Sequence, residues 1–173
     1  HALTHSSFTK EKNLPYTQCY ERLEFLGDAV LKLTISDVLF KMYPDYQEGE
    51  LSKIRSIIVS DNTLADIARK NGLQDLIIMS KHEEKQGCRK LNSICACAFE
   101  ATLGAYYLDG KYNELEKYIE TTFKPYIIDV KDHFEKFNAK AVLQEYTQGK
   151  TKNTPIYTVI REIGPEIGRA SCR

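Results

Sequence analysis

The sequence predicts an all-α fold over most of its 173 residues, followed by the start of a smaller α+β module. Three observations lead to this prediction. Apolar residues recur with the period of an α-helix from Cys19 to Met42. A second long segment, Leu91 to Leu108, is apolar nearly all round, which is typical of a helix at the centre of a bundle. A stretch rich in β-branched and aromatic residues, Pro155 to Ile160, predicts a strand near the end of the chain.

The first half of the chain predicts three helices in succession. The first is the long segment from Cys19 to Met42, and Glu50 to Val59 predicts the second. Ser60 or Asp61 can cap the N-terminus of the third, which should end at Gly72 because glycine favours the left-handed backbone that closes a helix.

The next part of the chain alternates polar and apolar segments. Ser80 to Lys90 has almost no apolar residue and predicts a solvated loop. Leu91 to Leu108 contains several alanines and a glycine, so neighbouring helices can approach it closely. Tyr112 to Phe123 predicts the last helix of the all-α part.

After Pro125 the character of the chain changes. The charged segment from Val130 to Phe137 predicts a linker. Asn138 to Gln148 then predicts a helix that is stopped by Gly149, and the strand over Pro155 to Ile160 follows it. A helix followed by a strand is expected to belong to a second module.

The composition indicates a soluble protein of the reducing cytoplasm. No apolar run approaches the roughly 20 residues needed to cross a bilayer, so no membrane partner is expected. Five cysteines at irregular positions fit free thiols better than disulfides, and the spacing of Cys95 and Cys97 does not predict a zinc site. The 24 basic and 24 acidic residues cancel, which by itself gives no support to nucleic-acid binding, although a neutral total can conceal a basic face.

Three acids of the first long helix are the candidate functional residues. Glu21, Glu24 and Asp28 are spaced i, i+3 and i+7, which places them on one helical face. Like charges at this spacing repel each other, so the pattern favours a site where a divalent cation holds them together. The commoner alternative for such spacing is a solvated acidic stripe on a surface helix.

The order of residues around these acids resembles the bacterial ribonuclease III family, whose signature helix reads E-x-L-E-F-L-G-D. Four segments resemble that family in the same chain order: His1–Phe8, Glu21–Asp28, Glu48–Ser52 and Phe99–Gly110. The resemblance implies a ribonuclease III endonuclease domain over residues 1–129, a linker over 130–137 and the N-terminal part of a double-stranded-RNA-binding domain over 138–165. It also implies that native chain precedes His1 and continues beyond Pro165, and residues 166–173 are expected to be a non-native tail.

The same resemblance assigns a metal site. Glu24, Asp28 and Glu100 match positions that bind metal in the family, and Asp28 and Glu100 are the expected catalytic acids. Such carboxylates suit Mg²⁺, with Mn²⁺ as the substitute, and two ions about 4 Å apart can activate water and stabilise the leaving oxygen of a phosphodiester. The family's fourth ligand is an acid three residues before Glu100, and here that residue is Cys97. A soft, neutral thiol is a poor Mg²⁺ ligand, so a water is expected to take the place of the lost carboxylate and metal affinity to be weaker. The alternative is that Cys97 is simply a small buried residue.

The resemblance assigns supporting roles to other residues. Glu21 and Glu48 match acids that line the family's catalytic valley, although each could be an ordinary solvated carboxylate. His5 is expected to make structural hydrogen bonds. For RNA, Gln144 and Gln148 share one face of the helix that in the family meets the minor groove, and the alternative is an ordinary polar helix face. The candidate phosphate contacts are Arg89, Lys90, Lys150 and Lys152.

These assignments predict a double-stranded-RNA-specific endoribonuclease that acts as a symmetric homodimer, with one active site for each strand. The expected products carry 5′-phosphates and 3′-hydroxyls, and the expected role is the processing of ribosomal and other structured RNA. The alternative is a family member that has lost a ligand at Cys97 and only binds duplex RNA or serves as a structural partner.

Overall fold

The computed structural model describes residues 1–133 and 139–152, together with Pro155 and Thr158. The described chain is helical, and it divides into two compact units, His1–Phe134 and Glu135–Arg173. Short 3₁₀ turns cover Tyr16–Gln18 and Cys88–Lys90. The α-helices are α1 (Ser6–Glu11), α2 (Glu21–Met42), α3 (Glu48–Ile58), α4 (Asp61–Lys70), α5 (Leu73–Leu76), α6 (Lys81–Lys85), α7 (Asn92–Leu108), α8 (Tyr112–Asp132) and α9 (Ala139–Thr151).

The centre of the first unit is α7, which packs against α2 on one side and α4 on the other. Phe99 of α7 is 1 % exposed and lies in the same cluster as Leu31 and Ile35 of α2. Leu64 of α4 and Phe123 of α8 complete the middle of this core. The all-round apolar character of α7 is therefore explained by burial on several faces, as the sequence predicted.

Two glycines bring α2 and α7 into backbone contact. A Cβ atom added at Gly27 would lie 1.8 Å from the carbonyl oxygen of Glu100, and one at Gly104 would lie 2.2 Å from the carbonyl oxygen of Leu23. Any side chain at either position would therefore force the helices apart. The contact fixes the turn of α2 that carries the predicted acids beside the turn of α7 that carries Glu100.

The segment predicted as a solvated loop is ordered. Ser80 caps α6 by accepting a hydrogen bond from the backbone N–H of Glu83 at 3.3 Å. Cys88 in the following 3₁₀ turn is 4 % exposed and packs in a second, smaller apolar cluster. The guanidinium of Arg89 donates to the carbonyl oxygens of Gln74 and Ile77 at 2.9 and 2.7 Å. The order therefore comes from capping and long-range hydrogen bonds, which apolar periodicity does not reveal.

Two helices are longer than the sequence predicted. α8 continues through Pro125 to Asp132, three residues into the predicted linker, because Ile127 and Val130 are buried in the core and outweigh the hydrogen bond that proline removes. α9 passes Gly149 and ends at Thr151. The predicted strand over residues 155–160 lies outside the described residues except at Pro155 and Thr158, and the predicted tail over 166–173 lies wholly outside them.

Among the helices that the structure describes, none is long and apolar enough to cross a membrane. The four cysteines in the same part of the chain are free thiols, in agreement with the sequence prediction.

The glycine contact makes a direct prediction for stability. Gly27→Ala should lower the free energy of unfolding by about 3 kcal/mol or more, since the new methyl group meets backbone that cannot move aside. Gly49 of α3 is the control, because a Cβ atom there meets nothing within 4 Å. Gly49→Ala should raise stability by about 0.5–1 kcal/mol through helix propensity alone. Denaturant unfolding of both variants checks this, and equal stabilities would contradict the close packing of α2 on α7.

Candidate metal centre

A cleft of about 1060 Å³ opens where α2, α4 and α7 meet. Residues of α3 and the start of α1 also border it. Its lining is unusually rich in carboxylates for one cleft: Glu21, Glu24, Asp28, Asp61 and Glu100. The acidic face predicted for α2 is therefore turned toward a concave site instead of forming a stripe on an exposed surface.

The three predicted metal ligands meet in this cleft. Glu24 and Asp28 lie one turn apart on α2, and Glu100 reaches the cleft from α7 beside the glycine contact. All three residues are half-buried. Partial burial removes some of the hydration of these carboxylates, which favours the entry of a cation.

The electrostatics of the cleft show the cost of bringing these acids together. Burial and, to a smaller extent, the negative charges of Asp28, Glu24 and Asp61 together raise the pKa of Glu100 to about 8, although the positive charge of Lys32 opposes this rise. Burial also raises the pKa of Glu24, and a hydrogen bond from Cys97 partly offsets this effect. The folded chain therefore brings together acids whose charged forms are disfavoured in the cleft and would be stabilised by a cation.

The donor set fits a hard divalent ion, because its carboxylate oxygens are the ligands that such ions prefer. The side chains do not yet point at one ion: among the described residues, no three His, Cys, Asp or Glu side chains form a ready cluster. One reason is that the ammonium of Lys32 lies 2.8 Å from an oxygen of Asp28. In this arrangement Oδ2 of Asp28 is paired with an ammonium, and the raised pKa of Glu100 favours its protonated form.

Cys97 lies in the same cleft, one turn before Glu100. Burial and the charge of Glu24 raise the pKa of its thiol far above the ordinary range. The thiol hydrogen-bonds to Glu24, which a neutral S–H can do as donor. Cys97 is therefore held as a protonated, soft group in a place where an acid would add charge, and it orients one of the carboxylates.

The other predicted site residues are distributed over both units. Glu21 lines the cleft, whereas Glu48 borders a neighbouring pocket and accepts a hydrogen bond from Ser52 at 2.7 Å. Gln144 and Gln148 lie one turn apart on α9, in the second unit. Gln144 is half-buried and Gln148 is exposed.

Two residues have structural roles that the contacts define. Nδ1 of His5 accepts a hydrogen bond from the backbone N–H of Ser7 at 3.1 Å and thereby caps α1, as its predicted structural role requires. Burial lowers the pKa of His5, which keeps the ring neutral as an acceptor. Arg89 was a candidate phosphate contact, but its guanidinium is bonded to Glu84 and to backbone carbonyls.

Asp61 lines the cleft, although its sequence pattern did not predict this. It is the first residue of α4, where an acid is common because it favours the helix dipole, and the sequence pattern predicted only a cap. The fold nevertheless places Asp61 in the cleft, where its charge acts on Glu24, Cys97 and Glu100. Only its proximity to α7 after folding could have identified it.

Comparisons with known proteins agree on one family. A model of the Ribonuclease-III-like family matches residues 1–127. The chain belongs to this family. It is 42 % identical to ribonuclease 3 of Borreliella burgdorferi, over 99 % of this chain and 69 % of that protein. It is 40 % identical to ribonuclease 3 of Lactococcus lactis subsp. cremoris, over 98 % and 73 % of the two chains.

Solved structures support the same conclusion. A nuclease domain of ribonuclease III from Campylobacter jejuni, described with a region involved in dimer formation, superposes with a TM-score of 0.64 at 40 % identity, over 72 % of this chain and 85 % of that one. Dicer from Pichia stipitis superposes with a TM-score of 0.53 at 28 % identity, over 84 % and 69 %. The resemblance found in the sequence is therefore confirmed: the chain is a ribonuclease III-like endoribonuclease, from a family that depends on divalent metal.

The raised pKa of Glu100 predicts how stability depends on pH without divalent ions. An acid whose pKa rises on folding, here from 4.5 to about 8, contributes its full stability below the unfolded value and loses it as the pH rises through the folded value. The free energy of unfolding in chelator should therefore fall from about pH 5 to about pH 8, and Glu100→Gln should remove much of this fall. Denaturant unfolding at several pH values checks this. Parallel pH profiles for both proteins would contradict the burial of Glu100 beside other acids.

Proposed function

We propose that this chain hydrolyses both strands of double-helical RNA with Mg²⁺ held by Glu24, Asp28 and Glu100, and that Mn²⁺ can substitute. The observation that carries the proposal is the convergence of these carboxylates in one cleft at the glycine contact of α2 with α7. The relatives named ribonuclease 3 support the choice of RNA as substrate. Cleavage would leave 5′-phosphates and 3′-hydroxyls, and it would serve the processing of ribosomal and other structured RNA in the cytoplasm.

The chain's own residues perform defined tasks in this reaction. Glu24 and Asp28 present oxygens from one helix, and Glu100 presents its oxygens from the helix packed against it. Glu100 must give up its proton to do so, because burial raises its pKa. Divalent ions bound there supply an activated water and positive charge for the leaving oxygen. Cys97 keeps its proton, adds no charge and orients Glu24, so a water would fill the place of the missing oxygen donor.

The homodimer would form through the face of α2 next to the cleft. Phe25 follows Glu24 directly and is 81 % exposed, and Leu108 at the end of α7 is 66 % exposed. Both residues border an open pocket together with Tyr16 and Leu26. An exposed phenylalanine beside an apolar pocket suits a two-fold interface in which each subunit inserts the same residue into the other. The Campylobacter jejuni nuclease domain, with its region for dimer formation, supports this assembly.

The second unit would supply additional contacts to the duplex. α9 is the expected first helix of a double-stranded-RNA-binding domain, of which residues 138–165 would be the N-terminal part. Gln144 and Gln148 would face the minor groove, where their amides can bond 2′-hydroxyls. The nuclease domain predicted over residues 1–129 would extend to the end of α8 at Asp132, because Val130 is buried in its core.

The first test removes one metal ligand without changing its shape. Glu100→Gln should reduce cleavage of a perfect duplex by at least about 10²-fold at saturating Mg²⁺ and leave duplex binding nearly unchanged. Cleavage assays and binding assays in Ca²⁺ check the two parts separately. Cleavage by Glu100→Gln at the rate of the native chain would rule out the metal site. Loss of duplex binding together with cleavage would indicate that Glu100 holds RNA instead.

The second test restores the oxygen donor that is absent at position 97. Cys97→Asp should lower the Mg²⁺ concentration needed for half-maximal cleavage severalfold, because it adds a charged, hard ligand. In Mn²⁺, which tolerates softer ligands than Mg²⁺ does, the native chain and Cys97→Asp should differ less in the metal concentration that they need. Cys95→Ser is the control, since Cys95 is buried on another face of α7 and bonds Gln74. If neither the native chain nor Cys97→Asp cuts duplex RNA with either ion while both bind it, the protein is a duplex-binding member that has lost catalysis.

A further inference from the structure

Lys32 is the positively charged residue closest to the proposed metal ligands. Its ammonium donates a hydrogen bond to Oδ2 of Asp28 at 2.8 Å, one turn along α2. It lines the cleft with Glu24 and Glu100, and its charge lowers the pKa of Glu100. The field of Lys32 thus reaches ligands on both helices, although it bonds only to one of them.

The ordinary explanation is a surface ion pair that supports the helix. The same helix contains such a pair for comparison: Lys41 bonds Asp37 at 2.6 Å with the same four-residue spacing. The pair of Lys41 lies outside the cleft, whereas Lys32 faces into it. The two lysines therefore have similar ion pairs along α2, but only Lys32 has the acids of the cleft as neighbours.

A divalent ion and an ammonium compete for Asp28. The ion would carry twice the charge and could bind several carboxylates together, so it would displace Lys32 from Oδ2 of Asp28. The side chain of Lys32 is 50 % exposed, so nothing encloses it and it can turn without disturbing the core. Once displaced, the ammonium stays in the same cleft as the ion, where a phosphate group of the substrate would lie.

We propose that Lys32 exchanges Asp28 for the scissile phosphate when the metal ion binds, and that it then donates a hydrogen bond to a non-bridging oxygen of that phosphate. This inference rests on the proposed function. As water forms its bond to phosphorus and the bond to the 3′-oxygen breaks, the proton of the water passes to solvent and the 3′-oxygen takes up a proton. Lys32 keeps its own proton throughout and stabilises the negative charge of the phosphate.

The missing acid at position 97 makes such a fixed cation more useful. With Cys97 neutral, the three carboxylates hold divalent charge less strongly than four would. An ammonium anchored on α2 provides positive charge that does not depend on the occupancy of a second ion. Lys32 would therefore be a substrate-binding catalytic residue of this particular chain.

The test combines metal binding and chemistry in the full chain. Mn²⁺ binding without RNA is measured by electron paramagnetic resonance, and cleavage of a duplex is measured in single turnover at saturating Mn²⁺. Lys32→Gln should bind Mn²⁺ up to about tenfold more tightly, because a competing positive charge is gone. The same variant should cleave at least about tenfold more slowly, because the phosphate loses a charged donor. Lys32→Arg should keep most of the rate, and Lys41→Gln should change neither quantity.

The opposite signs of the two effects separate this role from a structural one. Lys32→Gln behaving like Lys41→Gln in both measurements would overturn the proposal, and so would weaker Mn²⁺ binding together with slower cleavage. Thermal unfolding of each variant verifies that it is folded at the assay temperature. Glu100→Gln in the same series separates the two levels: if it loses Mn²⁺ while Lys32→Gln is silent, only the role of Lys32 fails. If Glu100→Gln binds Mn²⁺ as the native chain does, the metal site itself fails.

Discussion

The backbone contact between α2 and α7 is the constraint on which the site depends. Gly27 and Gly104 allow the two helices to touch where any Cβ atom would collide with a carbonyl oxygen. The core holds this contact in place, because Leu31 and Phe99 pack beside it from opposite helices. Glu24, Asp28 and Glu100 are thereby fixed near each other by backbone instead of by their own interactions, which are repulsive.

The repulsion between these acids is strengthened by their burial in the cleft. Burial raises the pKa values of Glu24 and Glu100, which means that their charged forms are destabilised in the cleft and would be stabilised by a bound cation. Cys97 is neutral where an acid would add one negative charge, and its thiol hydrogen-bonds to Glu24. Lys32 forms an ion pair with Asp28 and so neutralises part of the negative charge of the cleft. The cleft therefore carries less negative charge than it would with an acid at position 97 and without Lys32.

The sequence predicted those features of the fold and of the cleft that local patterns of residues indicate. The recurring apolar residues of α2 and the apolar character of α7 on nearly all sides predicted both helices, and their acids could be assigned from spacing and from the resemblance to a family. The order at α6 and the continuation of α8 through Pro125 depend on contacts with residues distant in the sequence. The local pattern alone therefore predicted a loop at α6 and an end of α8 that is too early. Asp61 was missed for the same reason, since its place in the cleft results from the packing of α4 on α7.

The most direct measurement of the central claim is anomalous diffraction from crystals of the full chain grown with Mn²⁺. We expect an anomalous peak in the cleft at about 2.0–2.3 Å from oxygens of Glu24, Asp28 and Glu100, with water where an acid at position 97 would bind. The ammonium of Lys32 should have left at least one oxygen of Asp28. A cleft without a peak at saturating Mn²⁺, or a peak bound only by Glu21 and Asp61, would contradict the claim that the contact of α2 with α7 builds the metal centre.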